Sequence, residues 1–197
     1  MLEDREPTPE EKKEELRLSL NIISWEHTFE NFKTVKDAMA SLKAFKELAD
    51  GSSWYILLNY GSNGCGKSYM CDAFSINLAK RNIRCKRWKW TELIRDFKCR
   101  LRSGIPGDYD RFFDTIRNLP YLVLDDVVMV KEEGKSNWEW AEFDDIIDYR
   151  WEKRLVTIVT TNLDITHLPP RSVSRFRDAV TSRMILNKAE DYRPKRR

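Results

Sequence analysis

The feature that most constrains the fold is a segment with three glycines, Gly61-Ser62-Asn63-Gly64-Cys65-Gly66-Lys67-Ser68. It follows an apolar run from Trp54 to Tyr60, of the kind found in strands that are buried on both faces of a parallel sheet. From Lys67 to about Ala79, apolar side chains recur at helical spacing. A strand, a glycine-rich loop and a helix in this order predict a phosphate-binding loop.

Each residue type in this loop suits the binding of a nucleoside triphosphate. Glycines let the main chain wrap closely, so that successive N–H groups can point at phosphate oxygens, and the helix N-terminus adds positive charge. The Lys67 ammonium would contact the β- and γ-phosphates, and the Ser68 hydroxyl would ligate Mg²⁺. We therefore expect ATP and Mg²⁺ as cofactors. The residues expected to bind them are Gly61, Ser62, Asn63, Gly64, Cys65, Gly66, Lys67, Ser68 and Tyr69.

A pair of acidic residues follows the next strongly apolar run, Tyr121-Leu122-Val123-Leu124. In an α/β sheet the carboxyl ends of the strands face the ligand, so both acids should lie near the phosphates. Asp125 would hold the metal through water, and Asp126 could orient or deprotonate the attacking water. Asn162 follows a third apolar run and could hold that water with its amide. These residues predict hydrolysis of ATP.

Two other classes of phosphate-binding protein are disfavoured. A GTPase needs D-x-x-G after the second apolar strand, whereas this chain has Asp125-Asp126-Val127-Val128. A small-molecule kinase usually carries an arginine-rich lid, and the comparable segment, residues 98–102, precedes the metal-binding strand. A phosphotransferase therefore stays only a weak alternative.

Strands alternate with helices along the whole chain, which predicts an α/β fold with a mainly parallel, five-stranded sheet flanked by helices. A length of 197 residues, 41% of them apolar, is enough for one sizeable core. We expect an N-terminal arm over residues 1–27 that is flexible or forms a short helix, an ATPase domain over residues 28–193, and a basic tail over residues 194–197.

Neither a membrane nor an oxidising compartment is indicated. No apolar run approaches the roughly 18 residues that a membrane span requires, and the first residues lack the apolar part of a signal peptide. None of the four cysteines forms a C-x-x-C pair, so free thiols are expected. We therefore expect a cytoplasmic protein without a membrane partner.

Basic and aromatic residues alternate in the middle of the chain. Between Arg81 and Arg102 there are nine Lys or Arg residues and two acids. Cations neutralise phosphates and aromatic rings stack on bases, as single-stranded DNA requires. The alternative, equally weighted, is that the tryptophans belong to the core and the cations to a solvated face. The candidate DNA-binding residues are Arg84, Arg87, Trp88, Lys89, Arg95 and Lys98.

With these motifs in place, the chain resembles the DnaC/IstB branch of AAA+ ATPases, the helicase loaders and transposition helpers. The resemblance covers roughly residues 28–193. It rests on Thr28-Phe29-Glu30-Asn31-Phe32, the phosphate loop, the strand that ends in Asp125, residues 146–150 and the strand that ends in Asn162. It implies a P-loop NTPase fold of AAA+ type without a C-terminal lid domain, and ATP-dependent homo-oligomers. It also implies single-stranded DNA and a replicative helicase or recombinase as partners.

The resemblance also implies an arginine that reaches the γ-phosphate of a neighbouring subunit. Arg183 is the position to which we carry this role, with Arg175 and Arg177 as alternatives. Asp126 stands where most AAA+ proteins have the longer glutamate, so slow hydrolysis is expected. Two functions therefore stay open, an ATPase of the helicase-loader type and an ATP-dependent binding switch with negligible turnover. Residues 131–140 look like an insertion relative to the family pattern.

Overall fold

The computed structural model describes residues 6–33, 35–128 and 138–192, with Lys36 described by its main chain alone. Five strands form a single sheet in the spatial order β2-β3-β4-β1-β5, and every neighbouring pair is parallel. The predicted α/β fold with five strands is confirmed. The strands are β1 Ile56–Gly61, β2 Cys85–Lys89, β3 Tyr121–Val127, β4 Val156–Thr161 and β5 Ser182–Asn187.

Helices cover both faces of the sheet. They are α1 Pro9–Leu20, α2 Met39–Asp50, α3 Lys67–Lys80, α4 Trp90–Leu101, α5 Asp108–Arg117, α6 Trp138–Glu152 and α7 Pro170–Phe176. Phe45 of α2 and Phe74 of α3 belong to the core on one face. Phe97 of α4 and Phe143 of α6 belong to the core on the other face. The result is a three-layer arrangement with a hydrophobic core on each side of the sheet.

The central strands are apolar on both faces because successive side chains enter opposite cores. In β1, Leu57 packs into the core under α2 and α3, whereas Ile56 and Leu58 pack into the core under α4 and α6. Burial on both sides requires a continuous apolar run, which is why the strand shows no alternation. The same arrangement fixes the register, so that the carboxyl ends of β1, β3 and β4 meet at one edge of the sheet.

The described part of the N-terminal arm, residues 6–27, packs against the domain. Thr8 caps α1 through a capping box with Glu11. Leu20, the last residue of α1, and Ile22 just beyond it pack on Ile76 of α3. Within the described ranges, no helix is long and apolar enough to cross a membrane. Residues 131–137 of the expected insertion and the tail over residues 194–197 lie outside the described residues.

Candidate nucleotide-binding site

The glycine-rich loop joins β1 to α3 in the order that the sequence predicts. Gly66 is the residue before α3 and has a φ of 89°, in the left-handed region that glycine adopts without strain. Gly64 has a φ of 72°, and a Cβ atom placed there would lie 1.7 Å from Oδ1 of Asp191. The left-handed main chain therefore favours glycine at position 64, and the Asp191 carboxylate occupies the space that a side chain would need.

Lys67 is folded back onto its own loop. Its ammonium donates hydrogen bonds to the carbonyl oxygens of Gly61 at 2.8 Å and Ser62 at 2.6 Å. The side chain is buried, with 7% of its surface exposed. A cation held among main-chain carbonyls is placed to exchange them for phosphate oxygens that enter the loop.

Ser68 and Asp125 come from different elements and meet beside the loop. Ser68 Oγ lies 3.3 Å from Oδ1 of Asp125, and the same carboxylate accepts a hydrogen bond of 2.5 Å from Thr160. Burial by itself would raise the pKa of Asp125, but Arg87 and the hydroxyls of Thr160 and Ser68 hold that pKa below its usual value. An ionised carboxylate beside a hydroxyl is an oxygen donor set that fits Mg²⁺.

Asp126 projects differently from Asp125 because the chain twists between them. Asp126 has a φ of 55°, and the register between β3 and β4 shifts between Leu124 and Val127. Its amide donates to Thr160 Oγ1 at 2.9 Å, and its carboxylate accepts a hydrogen bond of 2.9 Å from the Asn162 amide. This register shift is a β-bulge, and it brings the two exposed side chains of Asp126 and Asn162 together at the ends of adjacent strands.

A cavity of about 260 Å³ lies beside the loop. Gly64, Gly66 and Tyr69 line it on one side, and Phe32 packs edge-on against Tyr69 with ring centroids 5.3 Å apart. Tyr192 contributes a third aromatic ring to its wall. Aromatic walls beside a phosphate loop are suited to a planar base. Tyr69 is among the residues expected from the sequence to bind the nucleotide, and Phe32 belongs to a motif of the family resemblance, whereas Tyr192 is not predicted from the sequence.

The segment after β5 crosses the loop, which the sequence did not predict. Asn187 donates its amide to the Cys65 carbonyl at 3.1 Å, and Tyr192 donates its main-chain N–H to the Gly64 carbonyl at 3.2 Å. Ser62 Oγ donates to the Ala189 carbonyl at 3.2 Å. The loop is therefore held by hydrogen bonds to residues 187–192 as well as by its connections to β1 and α3.

The candidate DNA-binding residues do not share one environment. Arg87 is 1% exposed and pairs with Asp72 and Asp125, so its assignment to a DNA-binding surface is wrong. Trp88 is half-buried against Phe112, with ring centroids 5.9 Å apart. The remaining four residues are exposed, although Lys98 pairs with Glu139 at 2.7 Å. They are Arg84, Lys89, Arg95 and Lys98.

The three candidate trans-acting arginines differ in their contacts. Arg183 donates to the carbonyl oxygens of Ala179 and Ser182, and its guanidinium lies 5.3 Å from the centre of the Trp54 ring. Arg175 pairs with Asp148 at 2.8 Å. Arg177 is exposed, and within the described part of the chain its side chain makes no hydrogen bond or ion pair. It therefore has the greatest freedom to contact another molecule.

Known proteins with similar sequences are replication initiators. No protein-family model matches the sequence. The chain is 28% identical over 159 residues to the chromosomal replication initiator protein DnaA of Limosilactobacillus fermentum, a match that covers 77% of this chain and 35% of that protein. It is 27% identical over 168 residues to DnaA of a Lactococcus lactis strain, a match that covers 81% of this chain and 35% of that protein. The chain therefore spans about a third of the length of these relatives.

Solved structures with the same fold include initiators and helicase loaders. AMPPCP-bound DnaA from Aquifex aeolicus matches with a TM-score of 0.72 at 22% identity, over 85% of this chain and 51% of that one. The DnaC helicase loader matches with a TM-score of 0.69 at 22% identity, over 83% of this chain and 98% of that one. DnaI matches with a TM-score of 0.66 at 21% identity, over 89% and 92% of the two chains. The chain thus has the AAA+ fold of replication initiators and helicase loaders, as its resemblance to DnaC/IstB-like ATPases implies.

Proposed function

We propose that this chain binds ATP and Mg²⁺ and hydrolyses ATP as a AAA+ domain of the helicase-loader type, acting in DNA replication or recombination. The observation that carries the proposal is the 3.3 Å between Ser68 Oγ and Asp125 Oδ1, because two oxygen donors from separate elements converge beside the phosphate loop. The named functions of DnaA and DnaC support the replication role.

In this proposal each element of the site has one task. The loop amides and Lys67 bind the triphosphate, and Lys67 exchanges the Gly61 and Ser62 carbonyls for phosphate oxygens. Ser68 and Asp125 hold Mg²⁺, which offsets negative charge on the phosphates when it is bound. The base occupies the cavity walled by Phe32 and Tyr69.

Hydrolysis is assigned to the pair at the strand ends. Asp126 acts as the base that orients or deprotonates water, and Asn162 holds both that carboxylate and the water. The shorter side chain of aspartate favours slow turnover. The same feature supports the second candidate function, a switch in which ATP binding alone drives partner docking.

Assembly and partners extend the proposal. Homo-oligomers formed in the presence of ATP would bring an arginine of one subunit to the γ-phosphate of the next. Arg183 is one candidate, but its guanidinium already contacts two carbonyls and a ring, so we favour Arg177. Single-stranded DNA would bind near the edge strand β2, through Arg84, Lys89 and Arg95. A replicative helicase or recombinase would be the protein partner.

The decisive experiment is a titration of a fluorescent ATP analogue, with and without Mg²⁺. Lys67→Ala should weaken binding by roughly 10- to 100-fold, the equivalent of a lost charge-assisted contact. Ser68→Ala should reduce the gain in affinity that Mg²⁺ provides. Lys80→Ala is the matched control, since Lys80 is exposed at the far end of α3. Unchanged binding by the Lys67 variant would refute the proposal.

A further inference from the structure

Arg87 lies between two buried carboxylates. On β2, its Nη1 donates to Oδ1 of Asp72 at 2.7 Å, and its Nη2 donates to Oδ2 of Asp125. Arg87 is 1% exposed, and Asp72 and Asp125 are fully buried. A guanidinium presents its N–H groups in a rigid plane, so one arginine can fix the relative position of two carboxylates. Arg87, which lies on β2, therefore helps to fix the orientation of the Asp125 side chain.

The charges in this cluster are unequal. Arg87 supplies one positive charge against the two negative charges of Asp72 and Asp125. Arg87 is also the cation that pairs with Asp125 among the described residues. A divalent cation held by Asp125 would place further positive charge close to the guanidinium, and like charges at short range repel strongly in a buried site. Metal binding would therefore weaken the pair between Arg87 and Asp125 and leave Asp72 as the main partner of the guanidinium.

Asp72 connects this cluster to the segment that follows α1. Its Oδ2 accepts a hydrogen bond of 3.1 Å from the main-chain N–H of Ile23 and lies 2.6 Å from Nδ1 of His27. Arg87 Nη1 also donates to the Asn21 carbonyl at 2.9 Å. Residues 21–27 are therefore attached to the same carboxylate and guanidinium that position Asp125.

A second contact joins this segment to the nucleotide cavity. The His27 ring lies over Tyr69 with centroids 4.3 Å apart, and the Tyr69 hydroxyl donates to the Glu26 carbonyl at 3.1 Å. Tyr69 lines the cavity beside the phosphate loop. Residues 21–27 thus contact both the wall of the cavity and the charge cluster behind the metal carboxylate.

We propose that Arg87 is a positioning residue for the carboxylate of Asp125, and that through Asp72 it couples the placement of residues 21–27 to the binding of Mg²⁺ and ATP. This inference rests on the proposed function. Coupling between two binding sites is reciprocal. A partner that displaces residues 21–27 would change the affinity of the chain for Mg²⁺ and ATP by a certain factor. Mg²⁺ and ATP would change the affinity of the chain for that partner by the same factor. The arm before the ATPase domain would then act as a sensor of the nucleotide state.

The main-chain amide of Ile23 is a direct reporter, because it donates to Asp72. Hydrogen exchange at Ile23 should change by about fivefold or more when Mg²⁺ and ATP are added to the full chain, the lower end of typical coupling. In Asp72→Asn, where Arg87 and Asp125 can still pair, this response should disappear. Arg87→Lys keeps the positive charge but loses the planar pair of N–H groups that contact both carboxylates. In this variant the ratio of the ATP affinity with Mg²⁺ to that without Mg²⁺ should also fall, by about fivefold or more.

The outcomes separate the two proposals. A wild-type chain that fails to bind ATP overturns the proposed function and this inference with it. The wild-type chain could instead bind ATP in a Mg²⁺-dependent way while the hydrogen exchange rate at Ile23 stays the same with and without Mg²⁺ and ATP. This result overturns the inference alone. So does an Asp72→Asn variant that keeps the full response. Thermal unfolding of each variant checks that it folds, and the Asp72 variant carries the test if Arg87→Lys does not.

Discussion

The side-chain amide of Asn162 donates a hydrogen bond of 2.9 Å to Oδ1 of Asp126, across the ends of β4 and β3. This contact joins the proposed base to the residue proposed to hold the water. The amide fixes one carboxylate oxygen and leaves the other free to accept a proton. A bulge in β3 is what brings the two side chains together.

Asp126→Asn should therefore lower the single-turnover rate of ATP hydrolysis by about 100-fold or more, since it removes a general base while keeping the shape of the side chain. Affinity for ATP should change little, because Asp126 is not proposed to bind phosphate or metal. Quenched-flow measurement of phosphate release, together with an equilibrium titration, gives both quantities. Negligible turnover by the wild type itself would favour the binding switch instead.

Arg177→Ala should reduce turnover by about a thousandfold, the lower end of what a trans-acting arginine supplies, without weakening ATP binding by the monomer. A mixture with Lys67→Ala makes the test specific. The Lys67 variant has an intact arginine and the Arg177 variant an intact phosphate loop, so mixed assemblies should regain activity. Arg183→Ala and Arg175→Ala serve as comparisons. Full activity of Arg177→Ala, with loss only in Arg183→Ala, would return the role to Arg183.

Binding of single-stranded DNA should weaken with salt if the exposed cations around β2 contact phosphates. Each of Arg84→Ala, Lys89→Ala and Arg95→Ala should reduce the slope of log affinity against log salt concentration by about one. Lys43→Ala on α2 is the control, since its side chain is 77% exposed but distant in the fold from β2. Fluorescence anisotropy with a labelled oligonucleotide at several salt concentrations measures the slopes. A slope that none of the three variants alters would place DNA elsewhere.

The sequence predicts the phosphate loop and the strand ends well because these features are local. A strand, a loop and a helix are contiguous in the chain, and parallel strands bring Asp125 and Asn162 to the same edge by geometry alone. The central strands are equally clear, since burial on both faces leaves runs that are mainly apolar, without alternation.

The contacts of Arg87 are not local. As one cation in a basic stretch, Arg87 is predicted to contact DNA, whereas the structure buries it. In β2 the side chains alternate, and Arg87 lies on the same buried face as Cys85. The period of two was visible in the sequence, but its carboxylate partners, 15 and 38 residues away, were not. Contacts of the segment over the loop are also long-range; Asn187 reaches Cys65 across 122 residues.

One helix also differs from its predicted position. The sequence predicts a helix over residues 173–181, whereas α7 is Pro170–Phe176. Proline at the first helical position starts it early. Asp178 then ends the helical region, because its carboxylate accepts hydrogen bonds from the main-chain N–H groups of Val180 and Thr181. These local hydrogen bonds of the aspartate compete with continuation of the helix.

Gly64→Ala should damage the loop more than a change in backbone conformation alone. The new Cβ would lie 1.7 Å from Oδ1 of Asp191, so the Asp191 side chain or the segment that carries it would have to move. Gly51→Ala is the matched control, because Gly51 also has a left-handed φ, 94°, but nothing lies within 4 Å of its Cβ position. The control should lose about 1–2 kcal/mol of unfolding free energy, the cost of a left-handed residue.

Gly64→Ala should lose more unfolding free energy than Gly51→Ala and should also bind ATP weakly. Adding Asp191→Gly should recover part of the unfolding free energy, which denaturant titration of the wild type, the two single variants and the double variant measures. Equal losses in the two glycine variants, with no recovery on adding Asp191→Gly, would show that the segment after β5 does not constrain the loop.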